Sequence, residues 1–224
     1  MTPTRILPDG DEARAEAVEH LRAGRIVAVP TDTVYGIAAD LALPDAIERL
    51  FAAKHRPPEK AVAVLVADAA QAATLGWLGP SAKVLAERFW PGGMTLVLPR
   101  LADAVVPDVL AADSATIGVR VPDHDAPRAL ATALGPLPTT SANLSGGADA
   151  RDAADVAAQL GDAIALVIDG GPIRGGPAST VIDCTSDRAT ILRQGAIPAW
   201  LIAETLERAG RRHSIRDDSG PLGR

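Results

Sequence analysis

The chain has 224 residues, 47% of them hydrophobic, and its 22 Lys and Arg against 28 Asp and Glu give a formal net charge of -6. That length suffices for one substantial core, burying roughly 70–75% of the unfolded surface, while the acidic balance excludes a body coated in basic surface for nonspecific nucleic-acid binding and leaves room for a local basic cleft. A single cysteine, Cys184, excludes an internal disulfide and no Cys/His cluster has zinc spacing; with no apolar leader and no apolar run of transmembrane length, the expectation is a cytoplasmic protein with no membrane partner.

Residues 11–23 read as a helix closed by Gly24, and residues 26–29 as a short strand buried on both faces, which Pro30 ends because it has no ladder N–H to give. The turn that follows holds Thr31, Asp32, Thr33 and the only tyrosine, Tyr35, before Gly36. It reads equally as a turn that caps itself through side-chain to backbone bonds and as one wall of a polar ligand site. Residues 44–54 form an amphipathic helix with Pro44 in its tolerated first turn and Ile47, Leu50, Phe51 and Lys54 along one face. Lys54-His55-Arg56-Pro57-Pro58-Glu59-Lys60 then places three cations at the helix end and in a proline-stiffened loop. Such a cluster complements the helix dipole, and it also suits phosphate chemistry, arginine supplying a bidentate fork and lysine a compact charge; His55 between them is expected to face solvent.

Residues 62–66 read as a strand, 69–75 and 80–89 as helical pieces, and the Trp90-Pro91-Gly92-Gly93 loop feeds a strand over 94–98. In the strand 117–121, Arg120 sits among apolar residues and must find an anion or snorkel outward. His124 reads as a turn or capping residue before a helix over 127–134. The strand 137–140 runs into Thr139-Thr140-Ser141-Ala142-Asn143-Leu144-Ser145-Gly146-Gly147, either an Asx- or Ser-type turn or an oxygen-binding loop in which Ser141 and Asn143 face a phosphate or carbamoyl group. A helix over 152–160, extended residues 164–168, strands over 180–184 and 190–193 and a helix over 198–209 complete the chain. Ser179 and Arg193 lie at strand ends. The expected organisation is one catalytic domain over residues 1–210 and a flexible tail over 211–224, where apolar residues become sparse.

Helices alternating with short apolar strands predict an α/β fold of α+β type, a mixed parallel and antiparallel sheet flanked by helices; the closely spaced late strands argue for the antiparallel pairs. No lysine precedes Ser or Thr, no two glycines are separated by one residue, and no serine has glycines two before and two after it. These absences exclude a phosphate-binding P-loop, a dinucleotide fingerprint and a nucleophile elbow.

Pro30-Thr31-Asp32-Thr33-Val34-Tyr35-Gly36, Lys54-x-Arg56-Pro57, Trp90-Pro91-Gly92-x-x-Thr95, Arg120-x-Pro122, Ser141-Ala142-Asn143-Leu144-Ser145-Gly146, Ser179-Thr180-Val181-x-Asp183 and Leu192-Arg193-x-Gly195 occur in that order. Together they resemble the YrdC-domain family of threonylcarbamoyl-AMP synthases, over about residues 10 to 200. The resemblance implies a twisted, open sheet with a concave, positive cavity. It implies a nucleotidyltransferase reaction joining L-threonine, bicarbonate and ATP, with Mg2+ and without a tightly bound protein-ligated metal, into L-threonylcarbamoyl-AMP and pyrophosphate. The product would pass to a transferase complex that modifies tRNA beside the anticodon, and tRNA itself is a possible ligand. By the same resemblance Lys54, Arg56, Ser141 and Asn143 form the catalytic tetrad. Thr33, Arg120, Thr139 and Ser179 contact threonine, and Lys60, Thr116 and Arg193, with Arg56 and Ser141, contact the nucleotide. Leu65 and Asp149 depart from the residues some members carry, a histidine near threonine and a serine near ATP. The chain resembles the short, single-domain form. A rival reading is a paralogue that binds RNA or nucleotide without efficient synthesis; the related hydrogenase-maturation module belongs to longer chains with zinc-type Cys clusters.

Overall fold

The structure is a computed structural model that describes residues 4–54, 62–107, 110, 115–173 and 176–215. Its strands are β1 (Arg5–Pro8), β2 (Val27–Val29), β3 (Gly36–Ala38), β4 (Ala63–Leu65), β5 (Met94–Pro99), β6 (Thr116–Arg120), β7 (Leu137–Ser141), β8 (Leu166–Asp169), β9 (Thr180–Asp183), β10 (Arg188–Arg193) and β11 (Arg212–Ile215). Its helices are α1 (Asp11–Arg22), α2 (Pro44–Ala53), α3 (Ala69–Ala72), α4 (Pro80–Phe89), α5 (Asp125–Leu134), α6 (Ala153–Leu160) and α7 (Ala199–Arg208). The strands form one mixed sheet in the order β1-β8-β2-β3-β7-β4-β6-β5-β9-β10-β11.

Side chains alternate across the sheet, and the two faces are covered unequally. Ile26, Ala28, Ile37, Val64, Leu96, Leu98, Ile117, Val119, Ile182 and Ile191 pack with helices α2, α4, α6 and α7 in the larger core. Val27, Val29, Ala38, Leu65, Leu137, Leu166 and Ile168 point the other way, under α1 and α5. Those two helices cover only one side of that second face. Beyond them the alternate positions Val97, Thr116, Gly118, Val181, Thr190 and Leu192 remain half-buried. An amphipathic helix or sheet face must bury its apolar side to be stable; the uncovered part of this face carries polar residues and glycine, and it forms the trough that holds the candidate site.

Three strands departed from the sequence reading. β1 and β3 were not anticipated: three residues of Gly-Ile-Ala carry no strand pattern, and β3 forms because β2 and β7 supply antiparallel ladders on both sides. Residues expected to begin a flexible tail form β11, parallel to β10. The helical reading of 69–75 shrinks to α3, and α5 starts earlier than expected, at Asp125, where the His124 side chain caps it by accepting from Ala126 N at 3.2 Å. Cys184 is buried and free, and burial, with the nearby Asp183, pushes its thiol up to about 12, so the group stays protonated and unreactive. No helix among the described residues is long and apolar enough to cross a membrane.

Candidate active site

Lys54 follows α2 as its C-cap, with only 2% of its surface exposed. Its ammonium donates to the Ser141 hydroxyl at 2.9 Å, to Asn143 Oδ1 at 2.9 Å and to the Ser141 carbonyl. The Ser141 hydroxyl donates to Asn143 Oδ1 at 2.6 Å, and Asn143 Nδ2 to the Gly147 carbonyl at 2.7 Å. β7 delivers this group: after Ser141 the chain drops Ala142 into the core, its N–H held by the Tyr35 carbonyl at 2.7 Å, and Asn143 returns to the lysine. Dipole complementarity alone does not account for a lysine that reaches oxygens 87 residues downstream. Arg56 and Lys60 lie outside the described residues, as does His55.

β6 ends on Arg120, 5% exposed. Its Nε donates to the Gly92 carbonyl at 3.0 Å, Nη1 to the Thr33 hydroxyl at 2.9 Å and Nη2 to Asp32 Oδ1 at 2.5 Å. The same Asp32 oxygen accepts from Asp123 N at 3.0 Å. Burial lowers the Arg120 pKa, Asp32 opposes that, and the neighbouring Arg193 adds to the lowering. Three of the five guanidinium N–H groups are thus engaged by the protein. The β2–β3 turn caps itself, the Thr31 hydroxyl donating to the Val34 carbonyl at 2.6 Å and accepting from Thr33 N at 3.1 Å, while Asp32 and Thr33 turn to Arg120.

The third wall comes from β9, β10 and their flanks. Arg193 Nη2 donates to the Ser179 carbonyl at 2.8 Å, and the hydroxyls of Ser179 and Thr95 lie 2.8 Å apart. Gly195 makes this approach possible, because a Cβ there would stand 2.2 Å from the Ala178 carbonyl oxygen. Partial burial lowers the Arg193 pKa, and Asp149, exposed on the loop after β7, opposes the shift. Asp149 therefore contributes negative potential at Arg193. Leu65 belongs to the packed cluster under α5.

Strand register separates the site into two ends. β7 pairs Thr139 with Ala63 and β4 pairs Val64 with Val119, so Thr116 lies toward the Ser141 end and Arg120 toward the other, roughly 13 Å apart at about 3.3 Å per residue. Thr95 and Ser179 join the Arg120 end through the β5 pairings. Thr139, between the ends, is buried and donates its hydroxyl to the Leu137 carbonyl at 2.9 Å. Among the expected residues, the structure thus gathers Lys54, Ser141 and Asn143 in one group and Thr33, Arg120, Ser179 and Arg193 in another. The partnership of Asp32 with Arg120 was not foreseen, since 88 residues separate them.

Tyr35 ties the turn to the rest of the trough. Its hydroxyl donates to the Gly171 carbonyl at 2.7 Å and accepts from Gly170 N at 3.1 Å. Burial, aided by Asp169, pushes its pKa up to about 12, although the Gly170 N–H works the other way. An unfolded tyrosine ionises near pH 10, so between roughly pH 10 and 12 the unfolded chain releases a proton that the folded one keeps, and stability falls as pH rises through that window. As Tyr35 is the only tyrosine, tyrosinate absorbance should appear near pH 12 together with unfolding; ionisation near pH 10 in the folded protein would contradict the buried hydroxyl.

An open mixed sheet thus carries a buried lysine among serine and asparagine oxygens and a buried arginine fixed beside threonine and serine hydroxyls, a set of cations and hydroxyls whose chemistry suits a polar, anionic ligand. The family model described as "Telomere recombination" (Sua5, YciO and YrdC) matches residues 19–195, and the chain belongs to this family. It is 41% identical over 196 residues to the threonylcarbamoyl-AMP synthase of Bacillus subtilis (strain 168), covering 87% of this chain and 56% of that protein. A synthase of the same name from Vibrio cholerae is 38% identical over 188 residues, covering 80% of this chain and 96% of that protein. Pyrococcus abyssi Sua5 complexed with L-threonine superposes with a TM-score of 0.83 at 35% identity, covering 94% of this chain and 61% of that one. Escherichia coli YciO superposes at 0.77 and 27% identity, covering 88% and 98%. The chain spans only 56% and 54% of the Bacillus and Pyrococcus synthases.

Proposed function

We propose that the protein is a threonylcarbamoyl-AMP synthase, a nucleotidyltransferase that converts L-threonine, bicarbonate and ATP into L-threonylcarbamoyl-AMP and pyrophosphate. The observation that carries this reading is the pairing, on one uncovered sheet face, of the Lys54–Ser141–Asn143 group with the Thr33–Arg120–Ser179 group. In this reading the substrate pair lies along the trough, triphosphate at the lysine and amino acid at the arginine.

In this reading the two remaining N–H groups of Arg120 take the threonine carboxylate, and the hydroxyls of Thr33 and Ser179 orient the amine. The neutral amine nitrogen attacks the carbon of bicarbonate, giving a carbamate with loss of water. A carbamate oxygen then attacks the α-phosphorus in line and the bond to the pyrophosphate oxygen breaks. Lys54, held by Ser141 and Asn143, stabilises charge on the departing group; Arg193 flanks the nucleotide, and Arg56, Lys60 and Thr116 are further nucleotide contacts. Positioning and electrostatic stabilisation supply the acceleration. Mg2+ would enter bound to the phosphate oxygens of the ATP substrate, as is usual for a hard cation that keeps several of its waters. The adenylate would be consumed by a tRNA-modifying transferase complex in the cytoplasm.

The test is pyrophosphate release from ATP by purified protein, with and without L-threonine in bicarbonate buffer, with serine as control. Release that needs both threonine and bicarbonate is expected. Folded protein that shows no threonine-dependent release would sink the proposal.

A further inference from the structure

A second cavity, of about 220 Å3, lies away from the trough, where the start of α4 meets the hairpin between β9 and β10 and the residues leading into β11. Four observations there converge on an anionic ligand. The α4 helix begins at Gly79 without any side-chain cap and with Pro80 in its first turn, which leaves the N–H groups of Ser81 and Ala82 directed outward at the positive end of the helix dipole. Ser81 lines the cavity and is 5% exposed, and among the described residues nothing hydrogen-bonds its hydroxyl. The hydroxyl opens onto the cavity, where it is available to donate to or accept from whatever enters.

Arg211 and Arg212 line the opposite wall, exposed and with no ion pair among the described residues. Arg212 stands directly across the β10–β11 ladder from Arg188, likewise exposed and free of any such pair. Like charges set opposite one another in a sheet repel. Two arginines and one carboxylate, Asp187, line the cavity, and Arg188 adds a cation across the ladder, a local basic excess on a chain of net charge -6, which is how an acidic protein concentrates an anion at one place.

The fourth observation is aromatic. Trp77 borders the same cavity with 55% of its surface exposed, and its ring lies over Gly79, where a Cβ would meet the ring at 2.8 Å. The glycine thus lets an indole rest against the helix start, beside the outward N–H groups. An exposed indole next to phosphate donors is the arrangement by which proteins stack a base while binding its phosphate.

We propose that this cavity is a second, nucleotide-binding site, distinct from the trough, which takes a phosphate between the α4 N-terminus, Ser81 and the arginines and stacks the attached base on Trp77. The volume fits a phosphate and the edge of a ribose rather than a whole nucleotide, so the base lies outside, over the indole. A free nucleoside monophosphate and one residue of a single-stranded RNA offer this same chemistry.

The test uses the full chain labelled with 5-fluorotryptophan, whose three tryptophans give separate fluorine resonances; Trp77 is assigned by its loss in Trp77→Phe. Titration with AMP is expected to shift the Trp77 resonance saturably, with inorganic phosphate competing and adenosine competing at least tenfold more weakly. Arg211→Glu/Arg212→Glu should weaken the Trp77 response at least tenfold, whereas Lys54→Ala should leave it unchanged, which separates this site from nucleotide binding in the trough. Equal affinities for AMP and a short single-stranded RNA assign the site to mononucleotides. RNA binding at least tenfold tighter, steepening as salt falls, assigns it to an RNA strand. A Trp77 resonance that AMP and RNA both leave in place, or a shift that survives the double charge reversal, would overturn the proposal.

Discussion

Replacing Lys54 with alanine is expected to lower threonine-dependent pyrophosphate release by about 10²–10³-fold, the range found when one preorganised donor is removed from developing negative charge. Lys54 is nearly sealed from water, and its ammonium is already oriented by Ser141 and Asn143, so no reorganisation is needed when pyrophosphate departs. Lys54→Arg should fare almost as badly, because a planar guanidinium does not fit a pocket shaped round three converging oxygens. Ser141→Ala should cost less, since Asn143 Oδ1 still holds the lysine. Lys83→Ala, on α4 and away from the trough, is the control and should leave turnover unchanged. Circular dichroism and a thermal melt distinguish lost chemistry from lost folding. If Lys54→Ala retains more than a tenth of wild-type turnover, the lysine is not the group that stabilises the leaving charge.

Much of this architecture is legible in the sequence because it depends on local rules. Ile26 to Val29 followed by Pro30 announces a buried strand and its end, and Pro44 announces the start of α2. What stays hidden is set by neighbours far away in the chain. β3 is a strand only because β2 and β7 flank it, and the Arg-His-Ser-Ile segment of β11 reads as a polar tail because its pairing uses backbone groups of β10 rather than an apolar pattern. The same holds in the site. Arg120 within an apolar strand could be recognised as needing an anion, but nothing local says that the anion is Asp32. Ser141 and Asn143 could be read as ligand-facing, whereas the sequence does not say that a lysine at the end of α2 comes to rest between them. Side-chain chemistry is written locally, and the partners are chosen by topology.

Asp32→Ala should be the most destabilising change in the trough. Arg120 is buried, and with Asp32 gone its guanidinium keeps the Gly92 carbonyl and the Thr33 hydroxyl but no carboxylate. Leaving a buried charge uncompensated costs about 3–5 kcal/mol, which for a chain of this length lowers Tm by roughly 6–20 °C. The pair itself need not be a net source of stability, because its desolvation offsets most of its attraction. Removing both members, in Asp32→Ala/Arg120→Met, should therefore recover at least half of the lost Tm. Activity should behave differently. Asp32→Asn, which keeps an oxygen for Arg120 Nη2 and for Asp123 N, should fold and turn over with a raised KM for threonine, as the guanidinium loses its tether. The double variant should be stable and inactive if Arg120 also grips substrate. A stable double variant with near-normal KM would mean that Arg120 serves only to brace the turn, and a single Asp32→Ala variant melting within 2 °C of wild type would mean that the ion pair is not held in solution.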